Sequence, residues 1–549
     1  MIHQLMRAAA SSGGAQYSQR SPGICMQSYP LTIDKFLEHA AKWHGTREVV
    51  WVQGRDVLRT SYAALRERSN RLSGALGALG LRTGDRIGTL AWNTRHHLEM
   101  YYATMGAGLV CHTLNPRFTA AHLAAILNET EDRALAVATN LLPLLRELLP
   151  QCPRIEQVVL LDDGETNLDG MKAAFWRYED LLEKLGKPVP WGDFDENAPA
   201  GLCYTSGTTG KPKGVLYTHR SDYLHTLRAL QADAMAITRD DVVLAAVPMF
   251  HANAWGLPFA APAVGAKLVL PGRQADGSSL VRLLREEGVT IAAGVQTLWL
   301  GVVDHLDASG EELPDLKRVL IGGSPCPDVL IRRMEDRLGV QVQTSWGMTE
   351  LSPLGVIAPP GGRWAEHQGS GRPPLGLDLK LTDADGVALP QQRGPVGHLK
   401  VKGASVVDRY YKADAEALDA DGYFDTGDLA SIDEAGYLSI RGRSKDLIKS
   451  GGEWINPVEV EEIVSRHPCV RLAAVIGCPD RKWGERPVLV IEARGGQGID
   501  AEELLAFLRG KVAAWWVPDR VVQVRAMPLA ATGKIDKLRL RAEHASGGV

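Results

Sequence analysis

Apolar residues recur along this chain with two periods, one that suits helices and one that suits strands. The helical period predicts three helices in the first part of the chain, at residues 31–41 with Thr32 as the cap, at 62–79 and at 95–107. Short apolar runs predict buried strands at residues 49–52, 84–90, 135–137, 158–161 and 242–247. Because strands and helices alternate, we expect an α/β fold for the larger part of the chain.

The pattern changes in the last third of the chain. Gly-containing acidic segments at 383–386 and 433–436 predict hairpin turns, and after residues 441–446 a new set of strand and helix signals begins. The remaining length suits one small domain. We therefore predict a flexible tail at residues 1–30, a large domain at 31–442, a hinge at 443–446 and a C-terminal domain at 447–549. Residues 1–26 share their composition with transit peptides, but their apolar helical face is poor, which favours a tail.

Composition narrows the class of protein. A chain of 549 residues is too long for one core, and 45% hydrophobic with 23% charged residues is ordinary for a globular protein. The net charge of -4 offers no basic field for nucleic acid. The seven cysteines are scattered without a close pair, which favours a reducing cytoplasm over a disulfide framework or a zinc site. Polar residues and prolines interrupt the apolar stretch at 244–270, so we expect a buried segment there and no integral membrane span.

One loop is a candidate phosphate site. It spans residues 204–214 between two apolar runs, so we expect it to connect two strands. Its glycines allow backbone shapes closed to other residues, its hydroxyls and amides can face phosphate oxygens, and Lys211 and Lys213 add positive charge. It is not a Walker A loop, because no Ser or Thr follows Lys211 and residues 212–214 cannot open a regular helix. Taken alone, the segment is equally compatible with a flexible surface turn.

Further motifs make the chain resemble a known superfamily. Together with this loop, segments 345–350, 423–428, 441–446 and 532–535 resemble, in the expected order, the signatures of the acyl-adenylate-forming superfamily. That superfamily includes acyl-CoA synthetases, adenylation domains and beetle luciferases. Segments 247–256 and 448–455 look most like those of medium- and long-chain fatty acid:CoA ligases. The resemblance implies a large N-terminal domain of several subdomains, followed by a small, mobile α+β domain.

The reaction that this resemblance implies has two steps. A carboxylate attacks the α-phosphate of ATP, which gives acyl-AMP and pyrophosphate, and the thiol of coenzyme A then takes the acyl group and releases AMP. Both partners in the first step are anions, so the site must supply positive charge and hold the line of attack. The expected ligands are therefore ATP, Mg²⁺, coenzyme A and a small carboxylic acid.

The resemblance also assigns residues to the nucleotide. Glu350 would hold Mg²⁺ with help from the Thr205 hydroxyl, since Mg²⁺ prefers hard oxygens. Asp428 would accept hydrogen bonds from the ribose hydroxyls, and Arg443 would donate to the same sugar. The other nucleotide contacts would come from the phosphate loop, the adenine slot and the segment before Glu350, namely Ser206, Gly207, Thr208, Thr209, Gly210, Lys211, Gly323, Ser324, Pro325, Trp346, Gly347, Met348 and Thr349. Without the motifs, an acidic residue like Glu350 or Asp428 is typical of a surface or a turn.

Five more residues receive roles in catalysis, motion or substrate access. Lys534 resembles the lysine that bridges the carboxylate and the α-phosphate, and Lys449 the one that approaches the nucleotide for the thiol step. Lys445 occupies the position at which the family hinges between these steps. His251 would contact the reacting carboxylate. Trp255 would gate the acyl tunnel, although a plain core tryptophan fits its apolar surroundings nearly as well.

The acid is the least constrained part of the prediction. Gln296 stands where close relatives usually carry Pro, and residues 358–368 look shortened. A medium- to long-chain fatty acid is the first prediction, and an aromatic or small sulfur-containing acid is the second. Three further functions are compatible with the motifs: an acyl-AMP ligase that loads a carrier protein, a luciferase-like oxygenase and a nucleotide-binding pseudoenzyme. The resemblance is also compatible with a homodimer.

Overall fold

The computed structural model describes residues 26–205, 212–364, 369–496, 498–530 and 533–544. The predicted tail up to residue 25, the phosphate-loop residues Ser206, Gly207, Thr208, Thr209, Gly210 and Lys211, and Thr532 of the last motif lie outside the described residues. Among the described helices, none combines the length and apolar character needed to cross a bilayer.

Strands and helices alternate through most of the chain, as the sequence pattern predicts. The described strands are β1 (Glu48–Gln53), β2 (Asp56–Ser61), β3 (Arg86–Leu90), β4 (Val110–Thr113), β5 (Ala134–Val137), β6 (Gln157–Leu160), β7 (Ala174–Arg177), β8 (Pro199–Thr205), β9 (Lys213–Thr218), β10 (Val242–Ala245), β11 (Lys267–Leu270), β12 (Ile291–Gly294), β13 (Arg318–Ile321), β14 (Gln341–Gly347), β15 (Leu354–Ile357), β16 (Leu377–Thr382), β17 (Val396–Gly403), β18 (Phe424–Ile432), β19 (Leu438–Arg443), β20 (Ile448–Ser450), β21 (Glu453–Ile455), β22 (Val470–Asp480), β23 (Gly484–Ala493) and β24 (Arg520–Val524). The described α-helices are α1 (Asp34–Trp43), α2 (Tyr62–Ala78), α3 (Arg95–Gly106), α4 (Ala120–Thr130), α5 (Leu142–Leu148), α6 (Tyr178–Leu185), α7 (His219–Ala229), α8 (Leu257–Val264), α9 (Gly277–Glu286), α10 (Gln296–Ser309), α11 (Asp328–Leu338), α12 (Pro457–Ser465), α13 (Ala501–Leu508) and α14 (Lys537–His544).

Two large sheets form the main part of the molecule. One has seven strands in the order β7-β6-β5-β3-β4-β8-β9, and the other has eight in the order β15-β14-β13-β12-β10-β11-β1-β2. Both are parallel in the middle and antiparallel at an edge. One buried core joins strands of both sheets with helices α1, α3 and α8, and includes Phe36, Tyr101 and Phe259. Helices on the outer faces complete the layers, as the α/β prediction requires.

Two smaller sheets follow. Strands β16 to β19 form an antiparallel sheet, and β20 to β24 form a five-stranded sheet with its own core in the last hundred or so residues. A single 3₁₀ turn, Ser444–Asp446, lies between the two. The predicted α/β fold, with a large N-terminal part and a small C-terminal part, is thus confirmed.

Some local predictions differ from the structure. Thr32 does not cap α1, because Ile33 occupies the N-cap position and Thr32 is fully buried with no described hydrogen-bond partner for its hydroxyl. The strand predicted at 242–247 ends at Ala245, where Asn93 takes the carbonyls of Ala245 and Val247 as acceptors. The turn at 433–436 joins β18 to β19 as predicted, but the turn at 383–386 leads from β16 to a single bridging residue, Ala388.

Candidate active site

A cavity of about 1880 Å³ lies where the small C-terminal part meets the large one. That volume exceeds the usual range for a single small ligand, so several substrates fit together. Most described site residues from the sequence line it, namely Thr205, His251, Trp255, Gly323, Ser324, Pro325, Trp346, Gly347, Met348, Thr349, Glu350, Asp428, Arg443, Lys445 and Lys534. Segments far apart in sequence therefore meet at one place.

The candidate phosphate loop begins at the end of a strand. Thr205 is the last residue of β8, and it pairs with Lys213, the first residue of the antiparallel strand β9. The two predicted flanking strands are present and extend into the predicted loop range at residues 204–205 and 213–214, while residues 206–211 lie outside the described part of the chain. The Thr205 hydroxyl and the Lys213 ammonium group thus start from neighbouring backbone positions beside the cavity.

Glu350 is held in place by a tyrosine that the sequence motifs did not reveal. The Tyr410 hydroxyl donates a hydrogen bond of 2.9 Å to Oε1 of Glu350, whose backbone carbonyl accepts from Val407 N–H, also at 2.9 Å. The Lys213 ammonium group lies 4.5 Å from the centre of the Tyr410 ring. Burial, helped by the Glu350 charge, raises the pKa of the Tyr410 hydroxyl, so Tyr410 stays a donor. The candidate metal ligand and the base of the phosphate loop therefore share one partner.

Asp428 forms a second fixed carboxylate. It lies on β18 opposite Arg443 of β19, and the Arg443 Nε atom is 3.0 Å from its Oδ1. The indole Nε1–H of Trp346 donates to its Oδ2 at 2.9 Å. Burial raises the pKa of Asp428, and the Arg443 charge opposes this rise. Each carboxylate oxygen keeps a lone pair, so the group can accept further hydrogen bonds from a diol.

Lys534 enters the cavity from the C-terminal part. A Cβ atom on Gly323 would lie 3.3 Å from the Lys534 Cε atom, so the lysine stem passes close over this glycine. Burial, together with the Arg443 charge, lowers the pKa of Lys534 to about 8. Burial and the Lys534 charge lower the pKa of His251 to about 4. Near pH 7 the site therefore presents a cationic Lys534 next to a neutral His251.

Trp255 belongs to an unusual turn. Five consecutive residues, Ala252 to Gly256, have positive φ angles between 44° and 79°. Such a backbone costs about 1–2 kcal/mol for each non-glycine residue, so the surroundings must hold it. Tyr101 does so in part, because its hydroxyl donates to Asn253 Oδ1 at 3.3 Å and to the Met249 carbonyl. The Trp255 ring lies over Gly322, where a Cβ atom would come within 3.4 Å of it.

Lys449 lies outside this cavity. Its side chain is exposed, and its ammonium group is 5.4 Å from the centre of the exposed Trp454 ring. The adjoining turn is tied to the C-terminal sheet, since Gly451 N–H donates to the Trp483 carbonyl at 2.7 Å. Lys445 lies in the turn between the two parts, next to Asp446, which pairs with Arg541 at 3.0 Å. The structure thus brings Lys534, His251, Glu350 and Asp428 to one cavity and leaves Lys449 outside it.

Comparison with known proteins identifies the family. The model of the AMP-binding enzymes matches residues 36–411, and the model of the AMP-binding enzyme C-terminal domain matches residues 459–534. The chain belongs to the AMP-binding enzyme family. The crystal structure of MatB from Rhodopseudomonas palustris with bound ATP is similar, with a TM-score of 0.81 and 25% identity, covering 94% of this chain and 99% of that one.

Relatives over nearly the whole length are CoA ligases. The chain is 44% identical to a 3-methylmercaptopropionyl-CoA ligase of Ruegeria lacuscaerulensis, over 94% of this chain and 98% of the relative. It is 41% identical to a medium-chain-fatty-acid–CoA ligase of Ectopseudomonas oleovorans, over 94% and 97%. The crystal structure of an anthranilate CoA ligase with anthranoyl-AMP is similar with a TM-score of 0.85 and 25% identity, covering 94% of this chain and 98% of that one.

Proposed function

We propose that the protein is an acid-thiol ligase that converts a carboxylic acid to its coenzyme A thioester through an acyl-AMP intermediate, with release of AMP and pyrophosphate. The observation that carries this proposal is the meeting of Lys534, His251, Glu350 and Asp428 in one cavity. A cation lies beside a neutral imidazole, and the two carboxylates held by Tyr410, Arg443 and Trp346 would face the nucleotide. This arrangement suits the approach of a carboxylate to the α-phosphate of ATP.

The nucleotide would bind along the large domain. Asp428 and Arg443 would hold the ribose, and Trp346 with residues Gly323, Ser324 and Pro325 would enclose the adenine, because all of them line the same cavity. The hydroxyls and backbone amides of the phosphate loop, Ser206 to Lys211 in the sequence, would take the phosphates. Gly347, Met348 and Thr349, which directly precede Glu350 in sequence, line the same cavity.

The residues present fit a magnesium ion that is shared with ATP. Within the described ranges, no group of three His, Cys, Asp or Glu side chains could hold a metal on its own. Mg²⁺ usually takes one or two protein oxygens and completes its shell with phosphate oxygens and water. Glu350 and Thr205 would supply those protein oxygens, with Tyr410 orienting the Glu350 carboxylate. The ion would neutralise phosphate charge when bound.

Lys534 and His251 would act on the reacting acid. The Lys534 ammonium group would draw the carboxylate and the α-phosphate together and stabilise the charge that develops between them. His251, neutral near pH 7, would orient the acid by a hydrogen bond without competing for its charge.

The second step needs another face of the C-terminal domain. We propose that the domain, 447–549, turns about Lys445 in the segment 443–446, which withdraws Lys534 and brings Lys449 to the acyl-AMP for attack by the coenzyme A thiol. The exposure of Lys449 in this structure is consistent with a residue that waits outside the site.

A medium- to long-chain fatty acid is the proposed substrate. The cavity includes apolar surfaces from Met235, Leu320, Leu354 and Ile357, which suit an aliphatic tail, and Trp255 would gate it. A small sulfur-containing acid is a second candidate, because the 44% identical relative is a 3-methylmercaptopropionyl-CoA ligase. Gln296, which is buried and lines the cavity, would favour a polar atom in the tail.

The test is pyrophosphate release by the purified protein with ATP, Mg²⁺ and coenzyme A across acids of graded length, with 3-methylmercaptopropionate and benzoate included. Release that depends on a straight-chain acid of medium or long chain supports the first substrate, and preference for the sulfur acid supports the second. Acyl-CoA formation with free coenzyme A argues against a carrier-protein ligase. We also propose a cytoplasmic location, which agrees with the six free cysteines in the described part of the chain. We further propose a homodimer, which size-exclusion chromatography would test.

A further inference from the structure

A threonine of the large domain holds the turn that carries Lys534. The Thr297 hydroxyl donates a hydrogen bond of 2.8 Å to the Gly533 carbonyl, across 236 residues of sequence. This carbonyl belongs to the peptide group that joins Gly533 to Lys534. Fixing its direction therefore fixes the backbone from which the Lys534 side chain enters the cavity.

Described contacts hold both partners of this hydrogen bond. Thr297 is the second residue of α10, whose Trp299 and Leu300 are buried in a core of the large domain. On the other side, Gly533 N–H donates to the Ala530 carbonyl at 2.9 Å and Ala530 N–H donates to the Lys534 carbonyl at 2.6 Å. One hydrogen bond thus connects a helix anchored in the core to the segment that holds Gly533 and Lys534.

Gly533 allows the turn to come this close. Its φ angle is +84°, which favours glycine, and a Cβ atom there would lie 3.0 Å from Cγ2 of Val295 and 3.5 Å from the Thr297 hydroxyl. Gly533 therefore packs closely against residues 295–297 of the large domain, in addition to accepting the hydrogen bond from Thr297.

We propose that Thr297 is a positioning residue for Lys534 that serves the adenylation step alone. The inference rests on the proposed function, because the role of Lys534 does. The Thr297 bond requires the present arrangement of the two domains, and it must break when the C-terminal domain turns away for the thiol step. Loss of the hydroxyl then weakens acid activation and leaves the transfer to coenzyme A intact.

The two half-reactions separate this role from a purely structural one. In Thr297→Val, which keeps the branched shape and removes the donor, we expect the acid-dependent exchange of pyrophosphate into ATP to fall about tenfold, the order for one lost hydrogen bond with a partly buried carbonyl left unpaired. Conversion of supplied acyl-AMP and coenzyme A to acyl-CoA should stay within about twofold of the unmodified protein. Thr297→Ser, which keeps the donor, should restore most of the exchange.

A matched control breaks another contact between the same two domains. Arg466 of the C-terminal domain lies 3.7 Å from Asp328 of the large domain, and both side chains are partly exposed. Exposed ion pairs contribute little, so Arg466→Ala should change neither half-reaction by more than about twofold. An equal loss in the arginine and threonine variants would mean that any contact between the domains has the same effect, and would overturn the special role of Thr297.

A readout without catalysis distinguishes failure of this inference from failure of the proposed function. Arg443 and Lys445 are trypsin sites in the segment between the domains. In the substrate-free protein, Thr297→Val should speed cleavage at these two sites about fivefold, as measured by mass spectrometry, while Thr297→Ser should not. If the unmodified protein exchanges no pyrophosphate with any acid, the proposed function fails and the cleavage rates still decide. Equal cleavage in both variants, or an equal loss in both half-reactions, would overturn the inference.

Discussion

The C-terminal domain carries two lysines next to glycine turns, one buried in the cavity and one exposed to solvent. Lys534 follows Gly533 in a turn that is seated in the cavity, where burial lowers its pKa to about 8. Lys449 precedes the Gly451–Gly452 turn on another side of the same domain and is exposed. A rigid body cannot place both lysines in one cavity at once. Under the proposed function, the domain would be arranged for the first of two steps, and Lys449 would reach the site only in the second.

The large domain holds carboxylates whose surroundings would stay the same in both steps. Glu350 is fixed by Tyr410, and Asp428 by Arg443 and Trp346, through contacts that lie outside the C-terminal domain defined above. These residues would serve the nucleotide in both steps. Substitution of Glu350 or Asp428 should therefore impair both half-reactions. Substitution of either lysine should impair only one.

The largest expected effect is that of Lys534→Ala. Removal of the cation that stabilises developing charge should slow acid-dependent pyrophosphate exchange about 1000-fold. Conversion of supplied acyl-AMP with coenzyme A should change less than about threefold, because the proposed rotation would withdraw Lys534 from the site for that step. Quenched assays of the two half-reactions measure both values. Comparable losses in both would contradict the claim that Lys534 acts in the first step only.

Glu350→Gln should have the next largest effect. The amide keeps the size of the side chain and loses the charge that a magnesium ion requires, so exchange should fall about 100-fold, in line with loss of several kcal/mol of metal assistance. The Mg²⁺ concentration that gives half the maximal rate should rise. A magnesium titration of the variant checks this, with Tyr410→Phe as a milder companion that keeps the carboxylate and removes its donor. An unchanged titration would remove Glu350 from the metal site.

Lys449→Ala should show the reverse of the Lys534 variant with a smaller amplitude. One lost charged hydrogen bond should slow the thiol step about 30-fold and leave pyrophosphate exchange unchanged. The measurement is the rate of acyl-CoA formation from supplied acyl-AMP. Loss of exchange in this variant would show that Lys449 also acts in the first step, against its position outside the cavity.

The smallest effect, about tenfold at pH 9, is the pH dependence that the Lys534 pKa gives the first step. Because the pKa of Lys534 is about 8, the cation is present below that pH and is lost above it. The kcat/KM for the acid in the exchange reaction should be level near pH 7 and fall about tenfold per unit above pH 8 to 9. Lys534→Arg, which stays charged, should have lower activity and no such fall. A level profile in the unmodified protein to pH 10 would contradict the assignment.

Much of the site could be predicted from sequence because its parts are local motifs. Glu350, Asp428 and Lys534 each lie in a short segment that resembles the family, and the structure brings these segments to one cavity. The strand–loop–strand around residues 204–214 followed from alternating apolar runs and glycines, and both flanking strands are present. In these segments the reactive side chains and the residues that shape the backbone are neighbours in sequence. Both can therefore be recognised from one short stretch of the chain.

Residues that act through distant contacts could not be found in this way. Tyr410 reaches Glu350 across 60 positions and Thr297 reaches Gly533 across 236, and neither contact leaves a periodic or local pattern. The predicted cap at Thr32 was wrong for a related reason, because tertiary burial of Thr32 outweighed its local preference. The left-handed turn at 252–256 was also invisible, since four of its five residues are not glycine.

The most direct test of the central claim is the nucleotide product. The purified protein is incubated with ATP, Mg²⁺, coenzyme A and a panel of carboxylic acids, and the products are separated by ion-exchange chromatography. We expect AMP, pyrophosphate and acyl-CoA in equal amounts, formed only when an acid is present. Formation of ADP, or of no nucleotide product with any acid, would contradict activation of a carboxylate by AMP.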